Sequence, residues 1–292
     1  MPGRRTLLLT VVGYVAFGLA VFLVALYFTF PYDVLRERLA AEVQQATGLS
    51  ARIGAVRPQL PAGIVIDDLR LYPTPQATAP FVRLARVTAS SVLDLLQGRP
   101  PSVEFVGQAA QGSLTGSVLQ EESRRTISLQ WREVDLGQLQ PLLGSLPFQL
   151  TGRSRGTLRL ASPGNDHTRG SGSAELQVER GSFRYQSPGG LKLPEVSFTG
   201  LQLRLDLGGG QLRLREGRVD GTDLQVTALG QSVLRRALGE SPIAGQLRLR
   251  LTPALRQRAP ELGLLVAGAP DPEGFATYTL TGTLAAPRLL PR

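Results

Sequence analysis

The chain has 292 residues, a formal net charge of +9, 33 glycines, 21 prolines, a single histidine and no cysteine. Without cysteine there is no disulfide, no thiolate nucleophile and no cysteine metal centre, and one histidine leaves transition-metal ligation almost nothing but carboxylates. The charge rests almost wholly on arginine, Lys192 being the only lysine, and nucleic acid, anionic lipid and a GC-biased genome all stay open as its cause.

Residues 7–30, LLLTVVGYVAFGLAVFLVALYFTF, carry no charge. As a helix rising about 1.5 Å per residue this stretch reaches roughly 36 Å, longer than a hydrocarbon core of about 30 Å. Leu7, Val12, Phe17, Phe22, Leu26 and Phe30 mark the expected membrane anchor. A cleaved signal peptide has a shorter apolar core and ends in small residues, whereas this one ends in the bulky run LYFTFP. Arg4 and Arg5 precede the span, and Arg36 and Arg38 follow it mixed with Asp33 and Glu37, so charge alone orients it only weakly. A very short N-terminal tail and a large body fit a signal-anchor with the tail in the cytoplasm. The expected organisation is 1–30 tail and anchor, 31–100 an amphipathic helix with the first strands, and 101–292 a β-rich body.

Residues 33–47 place Leu35, Leu39, Val43 and Ala46 at helical spacing, with Asp33 able to cap the start and Gly48 the end. Such a helix either lies at the membrane surface or packs its stripe on the sheet that follows. Short alternating strands are expected around Ile53, residues 64–71 and residues 81–89, then a short helix over 90–97. Asp67 and Asp68 are adjacent, so on a regular strand they point to opposite faces, which rules out joint action on one atom and suggests a turn or strand-edge role.

From Val103 onward the period is two almost everywhere, in runs such as LQLRLDL and QLRLR. Leucines fall on one face and Arg, Gln or Asp on the other, and glycine clusters such as Gly208, Gly209 and Gly210 supply turns. The fold expected is therefore mainly β: a transmembrane helix followed by a long, curved antiparallel meander. Helical excursions at 232–238 and 253–266 would cover its apolar face or ends. Leu201, Leu203, Leu205, Leu212, Leu214, Leu247 and Leu249 would line an apolar groove, if that face is open. Period two fixes the two faces but not what covers them.

Chemistry is sparse. His167 sits alone in a polar loop, and no P-loop or nucleophile elbow appears in its structural setting. No catalytic residue, metal site or cofactor is expected, and an enzyme is not. Arg204, Arg213, Arg215, Arg248 and Arg250 lie among leucines on separate strands with few aromatics, so a solvated sheet face is expected there rather than a nucleic-acid surface.

The run TFPYD after the apolar stretch, the helix LRERLAAEVQQATG, then Ala51-Arg52-Ile53 and Leu60-Pro61-Ala62-Gly63-Ile64 resemble protein N of bacterial type II secretion, in the variant similar to AsmA proteins. The segments DLGQLQPLLGSLPFQLTGRSRGTLRL, SPIAGQLRLRLTP and TGTLAAPRLLP fit the same style. The resemblance implies a single-pass inner-membrane protein with a periplasmic body and other secretion components as partners. The role expected from it is a structural or docking element, with lipid binding or transfer in an apolar groove, as in AsmA-like proteins, as the alternative. The resemblance carries over no catalytic residue.

Overall fold

The computed structural model describes residues 32–292 apart from 48, 60–62, 75, 79, 90–100, 122, 143–147, 164–166, 186–194 and 259–270. The apolar stretch with Leu7, Val12, Phe17, Phe22, Leu26 and Phe30, and the helix expected over 90–97, lie outside the described residues. Among the described residues no helix is long and apolar enough to cross a membrane.

Period-two patterning becomes one antiparallel sheet. Its first half runs β1 (Ser50–Gln59), β2 (Gly63–Tyr72), β3 (Val82–Ala89), β4 (Ser102–Ala109), β5 (Gly112–Gln120), β6 (Arg125–Asp135), β7 (Phe148–Leu150) and β8 (Arg153–Ser162). The second half runs β9 (Ser171–Tyr185), β10 (Val196–Gly208), β11 (Gln211–Asp220), β12 (Leu224–Val233), β13 (Ile243–Leu251), β14 (Ala276–Gly282) and β15 (Pro287–Pro291). Each strand pairs with its neighbour in the chain, except that β6 pairs directly with β8 while the short β7 pairs with β9. This is the expected meander. Helix α1 (Tyr32–Thr47) precedes it, and α2 (Pro253–Arg258) lies between β13 and β14.

Two turns show how local chemistry sets the register. Gly209 and Gly210 adopt φ of +58° and +74° between β10 and β11, the left-handed pair that a two-residue hairpin needs. Ala110 and Gln111 do the same between β4 and β5, at +46° and +68°. The sequence reads there as one uninterrupted run, because alanine and glutamine are not turn formers. The structure corrects it to a hairpin. A second correction falls at 232–238, expected as a helix. Ser232 still pairs with Ile243 at the end of β12, and only Leu238–Glu240 forms a 3-10 turn.

Three strands contain a charged residue in left-handed conformation: Asp68 in β2, Glu133 in β6 and Arg180 in β9. Each adds one residue to the local alternation, so apolar positions stand three apart there, as with Ile66 and Leu69. At Glu133 the register with β8 shifts by one between Trp131 and Val134, a bulge, whereas beside Asp68 and Arg180 the pairing resumes in the same register.

Among the described residues the core forms three separate clusters on one sheet face. Ile53, Val56, Leu69, Val82, Leu84, Val87 and Ala109 form the first, with Leu35, Leu39 and Ala40 of α1 packed against it. Of the two readings of this helix, packing on the sheet is what Leu35 and Leu39 do. Leu136, Val178 and Phe198 form the second. Leu255 of α2 seals the third, with Val196, Leu251, Ala276 and Tyr278.

At the last strand, Arg292 N–H donates to the Thr277 carbonyl at 3.1 Å. Alternation therefore turns the backbone of Pro287, Leu289 and Pro291 outward, where the two prolines have no N–H to offer.

Aromatic rings on the apolar face lie over glycines of the next strand. A Cβ at Gly156 would stand 2.3 Å from the Trp131 ring and 2.2 Å from the Glu175 carbonyl oxygen, while one at Gly208 would meet nothing within 4 Å. Gly156→Val is expected to lower stability by about 1–3 kcal/mol in urea unfolding, and Gly208→Ala to leave it nearly unchanged.

Candidate functional site

Residues directly opposite in an antiparallel pair point to the same face, so the register decides which side chains form continuous rows. One row runs Ile53, Leu69, Leu84, Gly107, Leu114, Trp131, Gly156 and Leu176 from β1 to β9. It continues through Leu203, Gly217, Ala228, Leu247 and Tyr278 to β14. Beside it, Leu205 pairs with Leu214 and Leu201 with Val219, while Val226 pairs with Leu249. All seven leucines expected in the groove therefore share one face, brought together by β10, β11 and β13 with β12 between them.

All seven are half-buried, and their packing differs. Leu201 packs on the middle cluster, and Leu247 and Leu249 on the C-terminal one. Leu203, Leu205, Leu212 and Leu214 are half-buried and belong to none of the three clusters. The apolar face is thus closed in patches by α1, by the 3-10 turn Leu136–Leu142 and by α2. Between those covers it carries leucines that keep part of their surface accessible. Sequence reasoning named only the later strands. The same face extends back through Leu158, Leu129, Phe105 and Ile66, and the signal was there in the alternation of TISLQW and TLRLA.

The opposite face is organised by arginine. Asp67 accepts from Arg57 Nε at 2.7 Å, and Asp68 accepts from Arg83 Nε at 2.6 Å and from Arg70. Two adjacent carboxylates were expected to diverge. The φ of +56° at Asp68 turns both toward the arginine side, in mid-strand rather than at an edge or turn. Arg204 bridges Glu175 and Glu216, Arg215 pairs with Asp206, and Arg218 with Asp220. Arg248 and Arg250 lie 4.9 and 4.8 Å from the centre of the Phe275 ring, and Asp271 accepts from Arg248, the Phe275 N–H and the Glu273 N–H. Arg213 donates to Gln211, so each of the five arginines singled out from the sequence is engaged by another group of this chain, Arg248 by Asp271, Glu273 and Phe275 in the connection before β14.

A shallow concavity of about 690 Å3 lies over β4, β5, β6 and β8. Its lining mixes Glu104, Ser117, Ser128, Gln130 and Arg159 with Phe105, Val106, Leu129 and Leu158. Glu104 and Arg159 form no ion pair among the described residues. No group of three or more His, Asp or Glu able to hold a metal ion occurs among the described residues. His167 begins the 3-10 turn His167–Arg169.

The Arg70 guanidinium, with Arg83 second, holds the Asp68 carboxyl below its ordinary value of 3.8. For Asp271 the Phe275 N–H acts first and Arg248 second, in the same direction. A carboxyl that gives up its proton more readily when folded stabilises the fold fully above the unfolded value. That contribution is lost as pH falls through the lowered folded value. The urea midpoint is accordingly expected to drop on acidification from pH 5 toward pH 3, and to drop less in Asp68→Asn. Comparison with protein-family models, with curated proteins and with solved structures gives no match for this chain.

Proposed function

We propose that this protein is a membrane-anchored component of the bacterial type II secretion envelope whose β-sheet holds lipid acyl chains along its apolar face. The observation that carries this reading is the half-buried set Leu203, Leu205, Leu212 and Leu214, which continues apolar rows crossing the sheet but belongs to none of the three clusters formed by the described residues. Apolar surface of that extent is costly to leave in water, and an acyl chain removes about 0.8 kcal/mol of cost per buried methylene. An anchor at residues 7–30 would keep the sheet beside a source of such chains, with the body in the periplasm. The secretion context rests on the residues that resemble protein N, and no chemistry is assigned to the chain beyond binding.

A structural, docking role toward other secretion components is the second reading. What favours it is the concavity over β4, β5, β6 and β8, where Glu104 and Arg159, with no ion pair among the described residues, stand beside apolar Val106, Leu129 and Leu158.

Native mass spectrometry of the detergent-purified full chain, with lipid extraction, tests the first reading. Stoichiometric lipid is expected, falling at least about tenfold in Leu203→Glu with Leu214→Glu while circular dichroism stays that of the folded sheet. Thr227→Glu, on the polar face, should keep its lipid. A folded wild-type chain free of lipid would sink the acyl-chain reading and leave the docking role.

A further inference from the structure

The β12–β13 connection and the β14–β15 turn meet at one end of the sheet. Leu284 N–H donates to the Ser241 carbonyl at 3.1 Å and Ala285 N–H to the Gly239 carbonyl at 3.0 Å. Ser241 is fully buried, and its hydroxyl accepts the Arg235 N–H at 3.0 Å. The two connections therefore form one fixed tip. Its apolar side chains nevertheless point to water: Val233 is 51% exposed, Leu238 51% and Leu284 42%. Arg235, Arg236 and Arg288 are exposed around them, against the single carboxylate of Glu240.

We propose that this tip is a docking surface for an anionic lipid bilayer, distinct from the membrane that would hold the N-terminal anchor. Aliphatic side chains ringed by arginines suit the headgroup boundary, where leucines enter the acyl region and guanidiniums stay with the phosphates. The hot spots of protein interfaces draw on tyrosine and tryptophan as well as arginine, and residues 233–242 and 283–288 include neither aromatic. Eleven strand steps along the sheet separate β1 from β13, about 50 Å at ~4.8 Å per step, so the tip stands away from the α1 end. This surface is separate from the apolar rows of the sheet, and its occupancy does not depend on lipid being held there.

The chain has no cysteine, so Leu238→Cys accepts a single polarity-sensitive fluorophore. With the full chain in nanodiscs of neutral lipid, the label should report water. It should shift to the blue on adding vesicles rich in phosphatidylglycerol, but not on adding phosphatidylcholine vesicles. Arg236→Glu with Arg288→Glu should weaken that partition at least about tenfold without changing the thermal transition. A label at Thr227→Cys, on the polar sheet face, should not respond. No shift with anionic vesicles, an equal shift with neutral ones, or a label already in lipid in the nanodisc alone would each overturn the proposal. Lipid in native spectra without vesicle docking would leave the acyl-chain reading standing, and docking without copurified lipid would do the reverse.

Discussion

Everything in this molecule depends on the pairing of directly opposite residues across antiparallel strands. That constraint turns fifteen modest alternations into two continuous chemistries, one on each side of a single sheet. A one-residue slip between any two strands would put leucines among arginines. The register is held at many places at once: by glycine pairs in turns, by aromatic rings over glycines and by bulges placed in neighbouring strands together. Gly54, Asp68 and Ala85 share one such irregularity, so Ile53, Leu69 and Leu84 stay on the same face as Val56, Ile66 and Val87.

The two faces contribute unequally to stability. An exposed ion pair adds at most about 1 kcal/mol, and the arginine pairs here are largely exposed. Burying a leucine fully contributes about 1.5–3 kcal/mol. The three clusters, with Val178 and Leu255 each 1% exposed, therefore dominate the energetics of the described sheet. The arginine lattice acts instead on specificity. Arg57 with Asp67, Arg83 with Asp68 and Arg204 with Glu175 each reach from one strand to a neighbour, and a wrong register would set arginines against one another.

Much of the architecture was legible in the sequence because period two is a direct image of a sheet with one wet face. The leucines of LQLRLDL and QLRLR could be assigned to a common side before any coordinates. Four things were hidden, wholly or in part, for physical reasons. Ala110 and Gln111 form a hairpin turn by tolerating left-handed backbone that their residue types do not announce. Asp68 looks like any strand residue, and only its positive φ brings it beside Asp67. Cover was legible only in part: a helical excursion at 253–266 was expected over the apolar face or ends, and Leu255 of α2 packs on the third cluster, whereas Leu136 and Leu139 reach the sheet from a segment whose own pattern is short. The tip at Leu238 and Leu284 was equally hidden, because the residues that meet there are more than forty positions apart.

The outward turn of Pro287, Leu289 and Pro291 has a consequence for how these molecules coexist. The outer rim of β15 offers a single backbone donor, at Leu289, along five residues. A strand arriving from a second molecule would find too few partners to extend the ladder there. The sheet therefore has a built-in stop at that rim, and copies crowded into one compartment are kept from fusing end to end through it into fibres.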